Sequence, residues 1–138
     1  MNNKAKFERY AALLTEWSGR MNLVAPSTLT DIETRHFADS AQLADILPTD
    51  VRIVDLGSGA GFPGVVLAIL GWNVTCIESI GKKTAFLNAV KDDLGLPNLT
   101  VYHGRVEDYV RTLPRRPADV VFTARAFAPL IKILDYVA

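Results

Sequence analysis

A glycine-rich stretch at the end of a predicted strand contains the residue types in this sequence that are best suited to hold a ligand. Residues 51–64 read VRIVDLGSGAGFPG, a short apolar run followed by alternating glycines. Glycine lets the backbone turn tightly and approach a ligand closely because it has no Cβ. Asp55 precedes Gly57, Gly59 and Gly61 in a D-x-G-x-G-x-G pattern, which favours S-adenosylmethionine over a pyrophosphate. Pro63 suits the first turn of the helix that follows.

Two nucleotide-type cofactors compete for this loop. Gly59, Gly61 and Gly64 also satisfy the dinucleotide pattern G-x-G-x-x-G. Glu78 ends the next apolar segment, about twenty residues beyond the glycines, where an acidic side chain can accept hydrogen bonds from a ribose diol. Both cofactors contain that ribose, so Glu78 indicates a nucleoside without choosing between them. The remaining alternative is a glycine turn that serves only close helix packing.

The composition indicates one soluble domain with a substantial core, since 49% of the 138 residues are hydrophobic and 22% are charged. Fifteen basic and fifteen acidic residues cancel, so a nucleic-acid partner has to be met by a local charged patch. The single cysteine, Cys76, excludes an intramolecular disulfide, and no metal-ligand spacing is present, so no metal is expected. No apolar run reaches membrane-spanning length, and the polar start lacks a signal-peptide core, which favours a cytoplasmic location.

The apolar pattern predicts two helices followed by alternating strands and helices. Apolar residues at spacings of three and four predict a first helix over Asn3–Met21, and a second over 30–47 is stopped by Pro48. The alternation predicts a doubly wound α/β fold with a mainly parallel sheet. It forms a single domain, with N-terminal helices in 1–48 and a cofactor-binding core in 49–138. The predicted strands are 51–56, 72–77, 99–102 and 119–123, and the helices between and after them are 65–70, Gly81–Leu94, 108–113 and 126–136.

A polar cluster lies within the second predicted helix. The cluster consists of Arg35, His36, Asp39 and Ser40. Residues three or four positions apart are neighbours on a helix surface, and this spacing relates Arg35 and His36 to Asp39 and Ser40. The default interpretation is a solvated face. If the helix packs across the carboxyl ends of the strands, where ligands bind in open parallel sheets, the cluster faces the cofactor or the acceptor base. The fourth strand delivers Arg125 to the same edge, and its own open side predicts self-association.

Motifs spread over nearly the whole chain resemble one known family. The stretches are LLTEWSGRMNLVAPST, RHFADS, DLGSGAGFPGVVLAIL, IESIGKK, FLNAV, GRVED and TARAFAPL. They resemble the bacterial small-subunit ribosomal RNA guanine-N7 methyltransferases, the RsmG or glucose-inhibited division protein B family. The resemblance implies a Rossmann-like S-adenosylmethionine-dependent methyltransferase fold and small-subunit ribosomal RNA, or the small subunit itself, as substrate. Family members continue for several strands beyond RAFAPL, so the sequence is C-terminally short by comparison.

The resemblance also implies roles for individual residues. Arg125, His36 and Asp39 are expected to position the substrate, with Ser40, Lys82 and Lys83 as further candidates. No general base is expected, because guanine N7 carries a free lone pair at neutral pH. Phe62, Phe127 and Arg125 are expected to stack on or hold the base. The cofactor contacts carried over from the family are Gly57, Phe62, Val106, Glu107 and Arg125, and the residue pattern adds Asp55, Gly59, Gly61 and Glu78.

Two other functions stay open at this point. The first is an NAD-binding oxidoreductase fragment built on the same glycine loop, although no Tyr-x-x-x-Lys or comparable hydride-transfer set is present. The second is a truncated, non-catalytic module that binds a cofactor or another protein. Ser18 and Gly19 follow Trp17 where the family usually has asparagine next to the tryptophan, a departure that affects the first helix more than the site.

Overall fold

Four parallel strands form the centre of the computed structural model, which describes residues 1–21, 38–48, 50–113 and 119–124. The strand order is β3-β2-β1-β4, and each neighbouring pair is parallel. Asp55 aligns with Cys76 on one side and with Thr123 on the other. The carboxyl ends of all four strands therefore meet at one edge. The strands are β1 (Arg52–Leu56), β2 (Asn73–Glu78), β3 (Leu99–His103) and β4 (Val120–Ala124).

Helices cover both faces of this sheet, which confirms the predicted α/β class. One face carries a large apolar core between the sheet and α1, α3 and α4, with Ile53, Val65 and Phe86 fully buried in it. The other face packs Val54 and Ile77 beneath α5. Strands covered on both sides need near-continuous apolar runs, as the sequence has in β1 and β2. The helices are α1 (Asn3–Met21), α2 (Ala38–Gln42), α3 (Gly64–Ile69), α4 (Gly81–Leu94) and α5 (Val106–Val110).

Two of the predicted helices have the predicted bounds. The helix over Asn3–Met21 is confirmed. The helix over Gly81–Leu94 is also confirmed, and Gly95 ends it in the left-handed conformation with φ of 63°. No helix in the described part of the chain is long and apolar enough to span a membrane.

The prediction of a helix over 108–113 is wrong in position, because α5 begins at Val106 and ends at Val110. Arg105 is extended, so the chain enters the helix directly after it, and Glu107 and Asp108 in the first turn favour that start. The fourth strand starts at Val120 instead of residue 119. Asp119 has a φ of 62°, which an extended strand does not accommodate.

The second predicted helix is confirmed only in part. After α2 the chain tightens into a 3₁₀ turn over Leu43–Asp45, in which the Ile46 N–H donates to the Leu43 carbonyl. The α-helix prediction up to residue 47 is therefore wrong, in line with the restriction that Pro48 imposes on the residue before it. Residues 30–37 of this helix and the predicted helix over 126–136 lie outside the described residues.

Candidate active site

The glycine loop turns at the carboxyl end of β1. Gly57, Gly59 and Gly61 have φ values of 66°, 55° and 96°, the left-handed region that favours glycine. Between the first two, the Ser58 N–H donates to the Ile77 carbonyl at 3.0 Å, which continues the β1–β2 hydrogen bonding beyond the end of β1. The Gly61 N–H then donates to the Ser58 carbonyl at 2.8 Å and closes the turn before α3. The loop therefore has a defined shape at the sheet edge.

Glu78, the last residue of β2, fastens this loop to the second strand. Its Oε1 accepts a hydrogen bond from the Gly59 N–H at 2.8 Å, and its Oε2 accepts one from the Ile80 N–H at 2.9 Å. The residue is buried, with 5% of its surface exposed. Carboxylate oxygens have spare lone pairs, so these two bonds leave capacity for a further donor. The predicted contact with a ribose diol stays a prediction, and the structure adds a role in shaping the loop.

Asp55 lies beneath the loop with 1% of its surface exposed. Its Oδ2 accepts a hydrogen bond from the Gly64 N–H at 3.2 Å, and its Oδ1 accepts one from the Thr123 hydroxyl at 2.8 Å. The carboxyl group thus connects β1, the start of α3 and the end of β4. This arrangement positions the loop, and the direct cofactor contact predicted for Asp55 stays a prediction.

Burial raises the pKa of Asp55 from 3.8 to about 7, and the nearby Glu78 charge adds to the rise. Hydrogen bonds from Thr123, Ser58 and Gly64 act in the opposite direction. The folded state therefore holds a proton on Asp55 over a pH range in which the unfolded chain has already lost it. Burial likewise raises the pKa of the Cys76 thiol.

The free energy of unfolding is expected to fall as the pH rises from about 4 to about 7, because the unfolded state binds fewer protons there. In Asp55→Asn, the loss of unfolding free energy over this pH range should be smaller by roughly 2 to 4 kcal/mol. The asparagine amide keeps an acceptor for Gly64 and has no proton to lose. Urea denaturation across this range measures the slope. Asp45→Asn, at an exposed carboxylate in the 3₁₀ turn, should keep the parent slope. Equal slopes for Asp55→Asn and the parent would contradict the assignment.

The first helix supports the glycine loop from the core side. The buried Tyr10 hydroxyl donates to the Ala60 carbonyl, and the Tyr10 ring lies 5.6 Å from the Phe62 ring between centroids. Only 7% of Phe62 is exposed. The ring therefore fills the core under the loop, and the expectation that Phe62 stacks on or holds the base stays a prediction. The cofactor contact predicted for Phe62 stays a prediction, and Phe127 lies outside the described residues.

The turn after β3 meets the same edge beside Glu78. The Gly104 N–H donates to the Glu78 carbonyl at 3.0 Å. Val106 is buried and Glu107 is half-buried in the first turn of α5. The structure therefore brings the Val106 and Glu107 pair close in the fold to the acidic end of β2. Lys82 is exposed and Lys83 is half-buried at the start of α4.

A pocket of about 400 Å³ opens between α2, the start of α3 and the end of β4. We call it the α2–β4 pocket. Asp39 and Ser40 of the polar cluster line it together with Thr123 and Ala124, so α2 packs at the carboxyl edge. His36 and Arg125 lie outside the described residues. The described lining residues are Asp39, Ser40, Leu43, Pro63, Phe122, Thr123 and Ala124.

Sequence reasoning missed Tyr10 and Phe122 as residues of the site. Tyr10 belongs to the apolar stripe of the first helix, and Phe122 lies within a predicted strand, so both resemble ordinary core positions. Nothing in the periodicity distinguishes them from their neighbours. Within the described ranges, no group of three or more histidine, cysteine, aspartate or glutamate side chains could hold a metal ion.

Comparison with known proteins identifies the family. The family model for rRNA small subunit methyltransferase G, named GidB, matches residues 3–138. The chain belongs to the GidB family. The family resemblance carried by GFPG, RHFADS and TARAFAPL is thereby confirmed.

Curated members of the GidB family match most of this chain but extend beyond the match. Ribosomal RNA small subunit methyltransferase G of Rhodospirillum rubrum is 49% identical over 132 residues, which is 94% of this chain and 63% of that protein. The Rhodospirillum centenum protein of the same name is 53% identical over 94% of this chain and 58% of its own length. The Bradyrhizobium diazoefficiens protein is 46% identical over 96% and 52% respectively. The chain thus spans between half and two thirds of these relatives.

A solved structure shares the fold. The crystal structure of MtNAS in complex with MTA and tNA superposes with a TM-score of 0.61 at 15% identity, over 98% of this chain and 53% of that one. At this identity the likeness concerns the fold alone. The predicted Rossmann-like methyltransferase fold is confirmed.

Proposed function

We propose that this chain binds S-adenosylmethionine at the glycine loop and transfers its methyl group to N7 of a guanine in small-subunit ribosomal RNA. The observation that carries the proposal is the hydrogen bond from the Gly59 N–H to the Glu78 carboxylate at 2.8 Å. It joins the glycine pattern and the acidic strand end into one site at the edge where open parallel sheets bind ligands. Membership of the GidB family supports the reaction and the substrate.

The residues at this edge fit an adenosine-containing cofactor. Gly59 has open space in front of it, since the nearest heavy atom to an added Cβ is the Gly57 carbonyl oxygen at 4.0 Å. Glu78, at the end of β2, holds the ribose hydroxyls in this proposal, and Val106 with Glu107 borders the adenine. Gly57 and Gly61 give the loop its turn, and Asp55 holds the loop in register with α3 and β4. Arg125 follows β4 in sequence and completes the proposed contacts.

The proposed chemistry asks the chain to align the reactants. Bound S-adenosylmethionine supplies an electrophilic methyl group on a sulfonium. Because guanine N7 has a free lone pair, no side chain has to remove a proton. The contribution of the chain is then proximity and orientation, which can supply up to about 7 to 11 kcal/mol. Asp39, His36 and Arg125 position the base in this proposal.

The dinucleotide alternative has an observation against it. Pyrophosphate binding on a glycine loop uses backbone N–H groups at the start of the following helix. Here the Gly64 N–H donates to the buried Asp55 carboxyl group at 3.2 Å, and Pro63 before it has no N–H to offer. The start of α3 is therefore occupied by the protein's own acidic group.

Glu78→Gln is expected to weaken S-adenosylmethionine binding by about 10- to 100-fold, or roughly 1 to 3 kcal/mol. Glutamine has only one acceptor oxygen, so either the Gly59 or the Ile80 N–H loses its partner and the loop shifts beneath the ribose. Calorimetric titration measures the affinity. Glu16→Gln, at an exposed position of α1, is the matched control and should bind like the parent. An unchanged affinity for Glu78→Gln would remove this residue from the site.

A methyl-transfer assay tests the reaction itself. The chain is incubated with methyl-labelled S-adenosylmethionine and either naked small-subunit ribosomal RNA or assembled subunits. Label is expected in the RNA, and cleavage specific for 7-methylguanosine should map it to guanine N7. Label at another base or another atom contradicts the proposed acceptor.

Two further parts of the proposal concern the setting of the chain. A ribosomal RNA substrate implies a cytoplasmic location.

Among the described strands, β4 pairs only with β1, and we propose self-association through its other side. Sedimentation velocity distinguishes a dimer from a monomer, and a monomer at high concentration contradicts this last element alone.

A further inference from the structure

We infer that the α2–β4 pocket holds the acceptor guanine base and that Asp39 reads its Watson–Crick edge. This inference rests on the proposed function, because it names the place of the acceptor within that site. The pocket volume of about 400 Å³ falls in the range of about 300 to 1,000 Å³ that ligand sites occupy. Pro63 belongs to both the glycine loop and the pocket wall, so a base in the pocket lies beside the proposed cofactor.

The walls of the pocket suit a flat aromatic ring. Leu43, Pro63 and Ala124 contribute apolar surface. Phe122 borders the pocket, while its side chain packs with Val54 beneath α5 on the other face of the sheet. Small-molecule sites are lined mainly by apolar side chains with a few polar groups, and the flat face of a base can lie against such apolar surface. An unstacked purine can therefore bind without help from charge on the walls.

Ser40 gives a second, independent sign of a ligand. It lines the pocket with only 2% of its surface exposed, and its hydroxyl has no hydrogen-bond partner among the described residues. Buried hydroxyl groups are almost always hydrogen-bonded in native proteins. A polar ligand atom in the pocket would supply the partner.

Asp39 gives the pocket its selectivity for guanine. A carboxylate only accepts hydrogen bonds and can accept two at once. Guanine presents two adjacent donors, N1–H and the 2-amino group, whereas adenine presents an acceptor beside its amino group. A guanine bound to Asp39 by this edge carries N7 at the other end of the ring system. That end is the one a methyl donor has to approach.

The test compares guanosine and inosine monophosphate, because inosine lacks only the 2-amino group. Each nucleotide is titrated into the ¹⁵N-labelled chain, with and without saturating S-adenosylhomocysteine, and the amide shifts of Ser40, Thr123 and Ala124 are followed. Guanosine monophosphate is expected to bind about tenfold or more tightly than inosine monophosphate. Asp39→Ala should abolish this preference, whereas Asp45→Ala, at an exposed carboxylate outside the pocket, should keep it.

Ser40→Ala separates a ligand contact from a structural role. A buried hydroxyl that bonds only to a ligand is unpaired in the free chain and lowers the free energy of unfolding. Its removal should therefore leave the chain at least as stable while weakening the binding of guanosine monophosphate. Loss of stability together with unchanged binding would point to a structural hydroxyl and count against the inference.

Each of the following results overturns the inference while leaving the proposed function intact. The two nucleotides bind with equal affinity, or the preference survives Asp39→Ala. Guanosine monophosphate fails to bind, or shifts residues elsewhere. S-adenosylhomocysteine alone shifts Ser40 and Ala124 and excludes the nucleotide, which assigns the pocket to the cofactor. Failure of S-adenosylhomocysteine to bind anywhere contradicts the proposed function instead, and the titration without it still tests the pocket.

Discussion

Gly59→Asn is expected to lower the affinity for S-adenosylmethionine at least about 100-fold while changing the free energy of unfolding by only about 1 kcal/mol. Gly59 has a φ of 55°, and asparagine enters this left-handed region more readily than most residues. No protein atom lies closer than 4.0 Å to the added Cβ, so nothing in the fold is displaced. The new side chain instead occupies the space in front of the loop that the cofactor needs.

Gly95→Asn is the matched control for this substitution. Gly95 ends α4 with a φ of 63°, and no heavy atom lies within 4 Å of an added Cβ. The conformational cost and the free space therefore resemble those at Gly59, but the position is outside the site. Calorimetry should give the parent affinity for Gly95→Asn, and urea denaturation should give similar stability for the two variants. Equal affinities in both variants would argue against a cofactor lying over Gly59.

Gly64→Ala is expected to destabilise the fold by about 2 to 4 kcal/mol, since overpacking a close-packed core typically carries a cost of this size. An added Cβ would lie 2.6 Å from the Cys76 Sγ and 2.7 Å from the Asp55 Oδ2. Both neighbours are buried, so neither side chain can move into solvent. The intrinsic helix preference of alanine acts in the opposite direction, so the loss has to come from this steric conflict.

Gly81→Ala provides the comparison for Gly64→Ala. Gly81 is likewise the first residue of a helix, and the nearest heavy atom to an added Cβ is the His103 Cε1 at 3.9 Å, an ordinary contact. This variant should be as stable as the parent or more stable by up to about 1 kcal/mol. Urea denaturation of the two variants at one pH measures the difference. If Gly64→Ala proves as stable as Gly81→Ala, the packing described around Asp55 is incorrect.

The parts of the fold that follow from local patterns could be predicted from the sequence. The apolar run before Gly57 and the acidic residue that ends β2 placed the glycine loop and Glu78 at one sheet edge, because parallel strands align their carboxyl ends. The apolar pattern likewise predicted both ends of α4. These features depend on residues that are close together in the sequence, so local sequence patterns are enough to predict them.

The features that the sequence did not reveal depend on contacts between distant segments. Glu78 bonds to the backbone N–H groups of both Gly59 and Ile80, and no spacing rule predicts that both carboxylate oxygens are used in this way. The Tyr10 hydroxyl reaches Ala60, fifty positions away, from what reads as an ordinary core stripe. The raised pKa of Asp55 results from burial under the loop, which only the assembled fold produces.

The start of α5 was also missed, for a local reason. The pattern around Val106 is too short to define a helix by periodicity, and the start depends on the extended conformation of Arg105. The helix therefore starts two residues before the predicted range of 108–113 and brings Val106 into the core. The positions of His36 and Arg125 lie outside the described residues, so their roles stay predictions.

The central claim is that the glycine loop and Glu78 form a site for S-adenosylmethionine. Calorimetric titration of the chain with S-adenosylmethionine, S-adenosylhomocysteine and NAD in parallel tests it most directly. We expect the first two to bind with one-to-one stoichiometry and NAD to give no heat of binding. Binding of NAD alone, or of none of the three, would contradict the account.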